Sequence, residues 1–326
     1  MLEHGGNLRD AMRRYGGADW IDLSTGINPL GYPARPPAPD AWQRLPEPDP
    51  ALVRTACDYY GAPALLPVAG TQAAIQALPR LRTPARVTAA APSYAEHAHH
   101  WSRHGHTLRQ VPYAQLDAAV RDSDVVVVCN PNNPTGETVA PAQLLAWREA
   151  LAARGGWLVV DEAFGDTARE LSIVSHAGSP GLIVLRSVGK FFGLAGLRLG
   201  FVAAESGLLA QLEDLLGPWA VSGPAQSVAL DALRDRSWQA AAQERLARDG
   251  ERMRALLAAH GIRAHGTPLF HWWPEPKPEA FHEHMARHAI WVRLFPQAAR
   301  GIRLGLPARA LHWNRIELAL RTWNRQ

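Results

Sequence analysis

Cysteine is almost absent from this chain, where only Cys57 and Cys129 occur in 326 residues. Two thiols so far apart exclude a disulfide framework and a cysteine-built structural metal site, so buried free thiols and no metal are expected. Long apolar runs are missing too. None approaches the roughly eighteen residues that a membrane-spanning helix needs. Glu3, His4, Arg9 and Asp10 stand where a secretory signal would carry its apolar core, and a cytoplasmic location is expected. Charge of one sign is also lacking. The 34 Lys and Arg exceed the 30 Asp and Glu by only four. Basic residues such as Arg13, Arg14, Arg300 and Arg303 are scattered, which argues against a nucleic-acid surface.

What is present is a chain that folds. Hydrophobic residues make up 47% against 20% charged, and the length suits a large domain with a smaller companion. Glycines and the prolines from Pro33 to Pro39 break residues 1–40 into an arm with one short helix, Leu8 to Tyr15. From 41 to 210 apolar runs alternate with helical stretches. Val125–Cys129, Trp157–Val160 and Leu182–Leu185 read as buried strands, while Ala73–Leu78, Ala95–Arg103 and Pro141–Arg154 read as helices. Repeated βα units predict an α/β fold with a mostly parallel central sheet and helices on both faces. Beyond residue 210 long helices over Gln226–Leu233 and Ala240–His260 precede short strands at Phe270–Trp273 and Ile302–Leu304. Residues 211–326 are therefore expected to form a smaller α/β domain, on which the arm packs near the active site.

Chemistry concentrates in Ser187-Val188-Gly189-Lys190-Phe191-Phe192-Gly193-Leu194-Ala195-Gly196-Leu197-Arg198. A lysine among apolar neighbours has its neutral form favoured, and a neutral amine is what attacks an aldehyde. Ser187 and Arg198 suit a phosphate on the same molecule. Asp161, at the end of a strand, suits a protonated ring nitrogen, although Glu162 beside it offers the same charge. The Asn130 to Gly136 turn supplies asparagines able to bond a phenolic oxygen. Gly70-Thr71-Gln72 opens a helix and suits phosphate, and Tyr94 suits ring stacking. Alone, each of these is an ordinary turn, helix start or packing residue; together they describe one cofactor.

The ordered set resembles the fold-type I pyridoxal-phosphate enzymes of the aspartate-aminotransferase superfamily. By that resemblance Lys190 is the Schiff-base lysine and Asp161 the pyridine-nitrogen partner. Ser187, Arg198, Gly70 and Thr71 bind the phosphate; Gln72 faces the cofactor, Tyr94 stacks on it and Asn133 meets its phenolic oxygen. Arg303, in Gly-Ile-Arg-Leu-Gly, holds the substrate carboxylate. The chain departs from the pattern twice. Phe164 replaces a tyrosine near the cofactor oxygen, and Leu45 replaces a tyrosine offered to the neighbouring subunit's phosphate.

His4-Gly5-Gly6-Asn7 and the block Ile21 to Gly31 are similar to the threonine-phosphate decarboxylases of cobalamin biosynthesis. This implies decarboxylation of L-threonine O-3-phosphate to (R)-1-amino-2-propanol O-2-phosphate in a homodimer. His4 and Asn7 become contacts for the substrate phosphate, with Arg9 a weaker one. A histidinol-phosphate-like aminotransferase and a noncatalytic metabolite-binding protein are the alternatives.

Overall fold

The computed structural model describes residues 4–297 and 299–323. Contacts divide the chain into two compact units. One comprises Gly31–Asn133 and Glu137–Ala240, and the other Met1–Leu30, Pro134–Gly136 and Ala241–Gln326.

The first unit is built on a seven-stranded sheet. In chain order its strands are β1 (Leu66–Val68), β2 (Arg86–Ala90), β3 (Thr107–Val111), β4 (Val125–Cys129), β5 (Trp157–Asp161), β6 (Leu182–Ser187) and β7 (Gly200–Ala203). Their spatial order is β1-β7-β6-β5-β4-β2-β3, and β7 alone runs against the rest. Every residue of β4 and β6 is buried. Sheets covered on both faces demand such continuous apolar strands, and their β-branched side chains fit the pleat. Packed helices supply the cover: Ile75 and Leu78 meet the sheet together with Leu208 and Leu212, in one cluster with Val127 and Val159.

Local signals set the helix ends. Asp49 accepts from Ala51 N at 2.8 Å, with Pro50 as the first residue of the helix Pro50–Tyr60 and left-handed Gly61 closing it. Ser222 caps Gly223–Arg234 by accepting from Ala225 N. The loops that carry Gly70, Tyr94, Asn133 and Lys190 leave the C-terminal ends of strands, where parallel sheets place ligands. The loop after β6 is distinctive, because Ser187 pairs directly with Gly200 of β7. Residues 188–199 therefore form a closed excursion from a single rung.

The second unit carries a four-stranded antiparallel sheet in the order Arg293–Phe295, Gly301–Gly305, Phe270–Pro274, His265–Thr267. Ile21–Asp22 pairs with Ile290–Trp291 in a separate parallel ladder, so residues at both ends of the chain share this unit.

The boundary expected near residue 210 lies near 240 in this division, because the helices Ser206–Leu216 and Gly223–Arg234 pack within the first unit. Thr107–Val111 was not anticipated: it is an edge strand with little burial, so its apolar pattern is weak. Cys129 is buried as expected, but Cys57 is only half-buried. No helix among the described residues is long and apolar enough to cross a membrane.

Candidate active site

One cavity opens at the strand ends of the first unit. Its walls gather Gly70, Thr71, Gln72, Tyr94, Asn133, Asp161, Ser187, Lys190 and Arg198, all nine residues expected to meet the cofactor. Phe164 stands on the same wall, and Lys190 Nζ lies 5.5 Å from the centre of its ring.

The three asparagines of the turn after β4 divide their work. Asn130 closes the turn on itself, donating to Val139 O and accepting from Val139 N at 2.9 Å. Asn132 is fully buried and donates to Pro92 O. Asn133 is the one on the cavity wall. Glu162, the other acid considered at the end of β5, is fully buried and held by Arg186 at 2.7 Å, and only Asp161 lines the cavity.

Asp161 ends β5 with one oxygen accepting from Ala163 N and the other 2.9 Å from His97 Nε2. Burial opposes charge on His97, yet hydrogen bonds to Asp161 and Cys129 prevail and push its pKa up to about 10. His97 was missed from sequence. Its signal was its place one helical turn after Tyr94, on the inner face of Ala95–Arg103. His97, Cys129 and Asp161 bring metal-ligand atom types within 4.8 Å of one another. Their hydrogen bonds account for that convergence.

Pyridoxal phosphate fits these walls. Gly70 adopts φ +70°, and a β-carbon there would stand 2.6 Å from Arg198 Nη2; the missing side chain leaves room for a guanidinium beside Thr71. Arg198 itself sits in the left-handed region at φ 54°, a conformation uncommon outside glycine and concentrated at functional sites. With Ser187 and Thr71 it makes a donor set for phosphate. Lys190 would meet the aldehyde, Asp161 the ring nitrogen, Asn133 the phenolic oxygen and Tyr94 the ring face.

The remaining expected residues lie in the second unit. Arg303 is buried, donates to Ser24 O at 2.7 Å and lies 5.5 Å from the Phe270 ring centre. Burial, then the neighbouring Arg293, push its pKa below the usual arginine range. Arg293 and Arg303 are direct cross-strand partners, an arrangement that is unfavourable for like charges. Arg293 was not singled out from sequence, since only strand register reveals the pairing. Gly6 N donates to Ser24 Oγ at 2.7 Å, so the arm lies against the residue whose carbonyl holds Arg303. His4 and Asn7 flank that contact and are exposed.

The aminotransferase class I and II family model matches residues 18–308. A threonine-phosphate decarboxylase of Pseudomonas aeruginosa is 51% identical over 324 residues, covering 98% of this chain and 97% of that protein. A threonine-phosphate decarboxylase of a Sinorhizobium species is 44% identical over 328 residues, covering 98% and 97%. Among solved structures, the histidinol-phosphate aminotransferase of Sinorhizobium meliloti in complex with pyridoxal-5'-phosphate superposes with a TM-score of 0.82. It covers 98% of this chain and 96% of that one at 22% identity.

Proposed function

The chain belongs to the aminotransferase class I and II family, and from that premise we propose that it is a pyridoxal-phosphate-dependent decarboxylase. Its substrate is L-threonine O-3-phosphate, and its products are (R)-1-amino-2-propanol O-2-phosphate and carbon dioxide, a step of cobalamin biosynthesis. The observation that carries this reading is the 51% identity to a threonine-phosphate decarboxylase along almost the whole chain. Similarity to the histidinol-phosphate aminotransferase at 22% identity speaks for the fold alone.

When bound, the cofactor supplies an electron sink for the pair left at Cα as the carboxylate departs. The protein's own residues do the rest. Asp161, oriented by His97, would hold positive charge on the ring nitrogen. Thr71, Ser187 and Arg198 would hold the cofactor phosphate, and Tyr94 and Asn133 would fix the ring. Lys190 would hold the aldehyde end and, as a free amine, would carry a proton to the substrate Cα. Arg303 takes the substrate carboxylate. Arg293, with His4 and Asn7 of the arm, takes the phosphate. A substrate that carries both a carboxylate and a phosphate offers two anionic groups to two cross-strand arginines, which supports this assignment.

The enzyme works as a cytoplasmic homodimer in this reading. Trp219, 56% exposed, lines a second, largely apolar cavity with Pro46, Leu66 and Val221, and the 65% exposed Leu45 precedes that wall. Such exposed apolar surface suits a partner copy, and sedimentation measures the assembly.

The decisive assay supplies cofactor and threonine phosphate and measures carbon dioxide and aminopropanol phosphate. Stoichiometric formation of both is expected. A keto acid formed without carbon dioxide would sink the proposal in favour of the aminotransferase. Binding without turnover would point to a metabolite-binding protein.

A further inference from the structure

Two neighbouring loops both line the cavity. One leaves β2 and carries Tyr94; the other leaves the neighbouring strand β4 and carries Asn133. Neither side chain is placed by its own strand, since each stands several residues beyond the last rung. Between them lies Asn132. Its Nδ2 donates to Pro92 O at 2.9 Å, and its Oδ1 accepts from Ser93 Oγ at 2.8 Å. Its backbone N–H donates to Glu137 O at 2.8 Å, closing its own turn. The residue is 0% exposed. Both ends of one buried amide therefore grip the Tyr94 loop, while its backbone is fixed in the Asn133 loop.

We infer that Asn132, locked by Ser93, is a positioning residue that sets the separation of the Tyr94 ring from the Asn133 amide. The inference rests on cofactor occupying this cavity, as proposed above. Neither Asn132 nor Ser93 lines the cavity, so they act through their neighbours. A buried amide with its partners fixed has one orientation, and its hydrogen bonds are costly to leave unmade. Groups behind a site commonly orient the groups in contact with the ligand.

The consequence is fidelity. After carbon dioxide leaves, the proton must be added at the substrate's Cα. If it is added at the cofactor's aldehyde-derived carbon instead, hydrolysis with one water releases an aldehyde lacking the carboxylate and leaves the amine on the cofactor. A ring held loosely between Tyr94 and Asn133 shifts relative to Lys190, and small misplacements of reacting groups have large effects on rate.

The test compares wild type with Ser93→Ala, which removes one hydroxyl from the clamp, and Ser93→Thr, which restores it. Cofactor affinity is read by titrating apoprotein with pyridoxal phosphate and following absorbance. The error is read as aminated cofactor formed per carbon dioxide released. Ser93→Ala is expected to weaken cofactor binding about three- to tenfold, the range for one lost hydrogen bond, and to raise the error several-fold. Ser93→Thr should return both toward wild type, and the apoprotein melting temperature of Ser93→Ala should fall only by the modest cost of one buried oxygen left without its donor. Unaltered affinity and error in Ser93→Ala would overturn the inference. So would a loss explained wholly by a lower apoprotein melting temperature and not rescued by threonine. If Ser93→Ala fails to fold, Ser93→Cys, a weaker donor of similar size, is measured in the same way against the same outcomes. Failure of wild type to bind the cofactor or release carbon dioxide would instead indict the functional reading, separately from the clamp.

Discussion

His97 Nε2 stands 2.9 Å from Asp161 Oδ2, and their side chains are only 5% and 6% exposed. The pair places a cation behind the carboxylate that faces the cavity. Its strength follows from a shared hydrogen bond in a site with little water.

This pair makes stability depend on pH. The pKa of His97 rises from 6.5 when unfolded to about 10 when folded. The stabilisation is therefore complete below about 6.5 and is lost as pH rises through about 10. Melting temperatures measured across that window should fall in wild type and fall less in His97→Asn. Parallel profiles for the two proteins would remove the pair from this role.

Lys190→Ala should reduce carbon dioxide release by at least about a hundredfold, the lower end of what a positioned proton carrier contributes. Borohydride reduction followed by peptide mapping should find the pyridoxyl group on Lys190 in wild type. Its recovery on another lysine would refute the assignment.

The two arginines of the second unit should separate in their effects. Arg303→Ala should lower kcat/KM for threonine phosphate by about ten- to a hundredfold, the range of a charged hydrogen bond. Arg293→Ala should instead lower the preference for threonine phosphate over threonine. Equal loss on both substrates for Arg293→Ala would show that it does not read the phosphate.

Gly70→Ala tests the space beside Arg198. The new β-carbon meets the far end of a long side chain, so Arg198 should move aside and the fold should survive. Left-handed strain is expected to cost about 1 kcal/mol in the apoprotein. Cofactor affinity should fall by more than that strain explains, as measured by absorbance titration.

Glu162 and Asp166 share buried Arg186, at 2.7 and 3.2 Å. Removing the shared guanidinium leaves two buried carboxylates uncompensated, so Arg186→Leu should destabilise the protein by about 3–5 kcal/mol in urea unfolding. A loss under 1 kcal/mol would mean that the charges are hydrated.

Much of this was legible in sequence because the site uses short blocks anchored to buried strands. Val125–Cys129 announces its strand by composition, and the turn after it follows directly. Chemistry alone did not separate Asn130, Asn132 and Asn133; the family pattern named Asn133, and the fold shows what the other two do instead. Asp161 and Glu162 were equally acidic in sequence; Arg186 holds Glu162 in the interior, and Asp161 is the one on the cavity wall. His97 and Arg293 were hidden for another reason: each matters through a residue distant in the chain, to which periodicity is blind. The assignment of residues 211–240 differed because helices carry no mark of which sheet they cover.

The excursion that carries Lys190 begins at Ser187 and returns at Gly200, two residues on the same rung of the sheet. Its endpoints belong to the scaffold rather than to the loop. Such a segment is a replaceable cassette: another sequence spanning residues 188–199 inherits the same anchor points, and the chemistry of the site can be rewritten without redrawing the sheet beneath it.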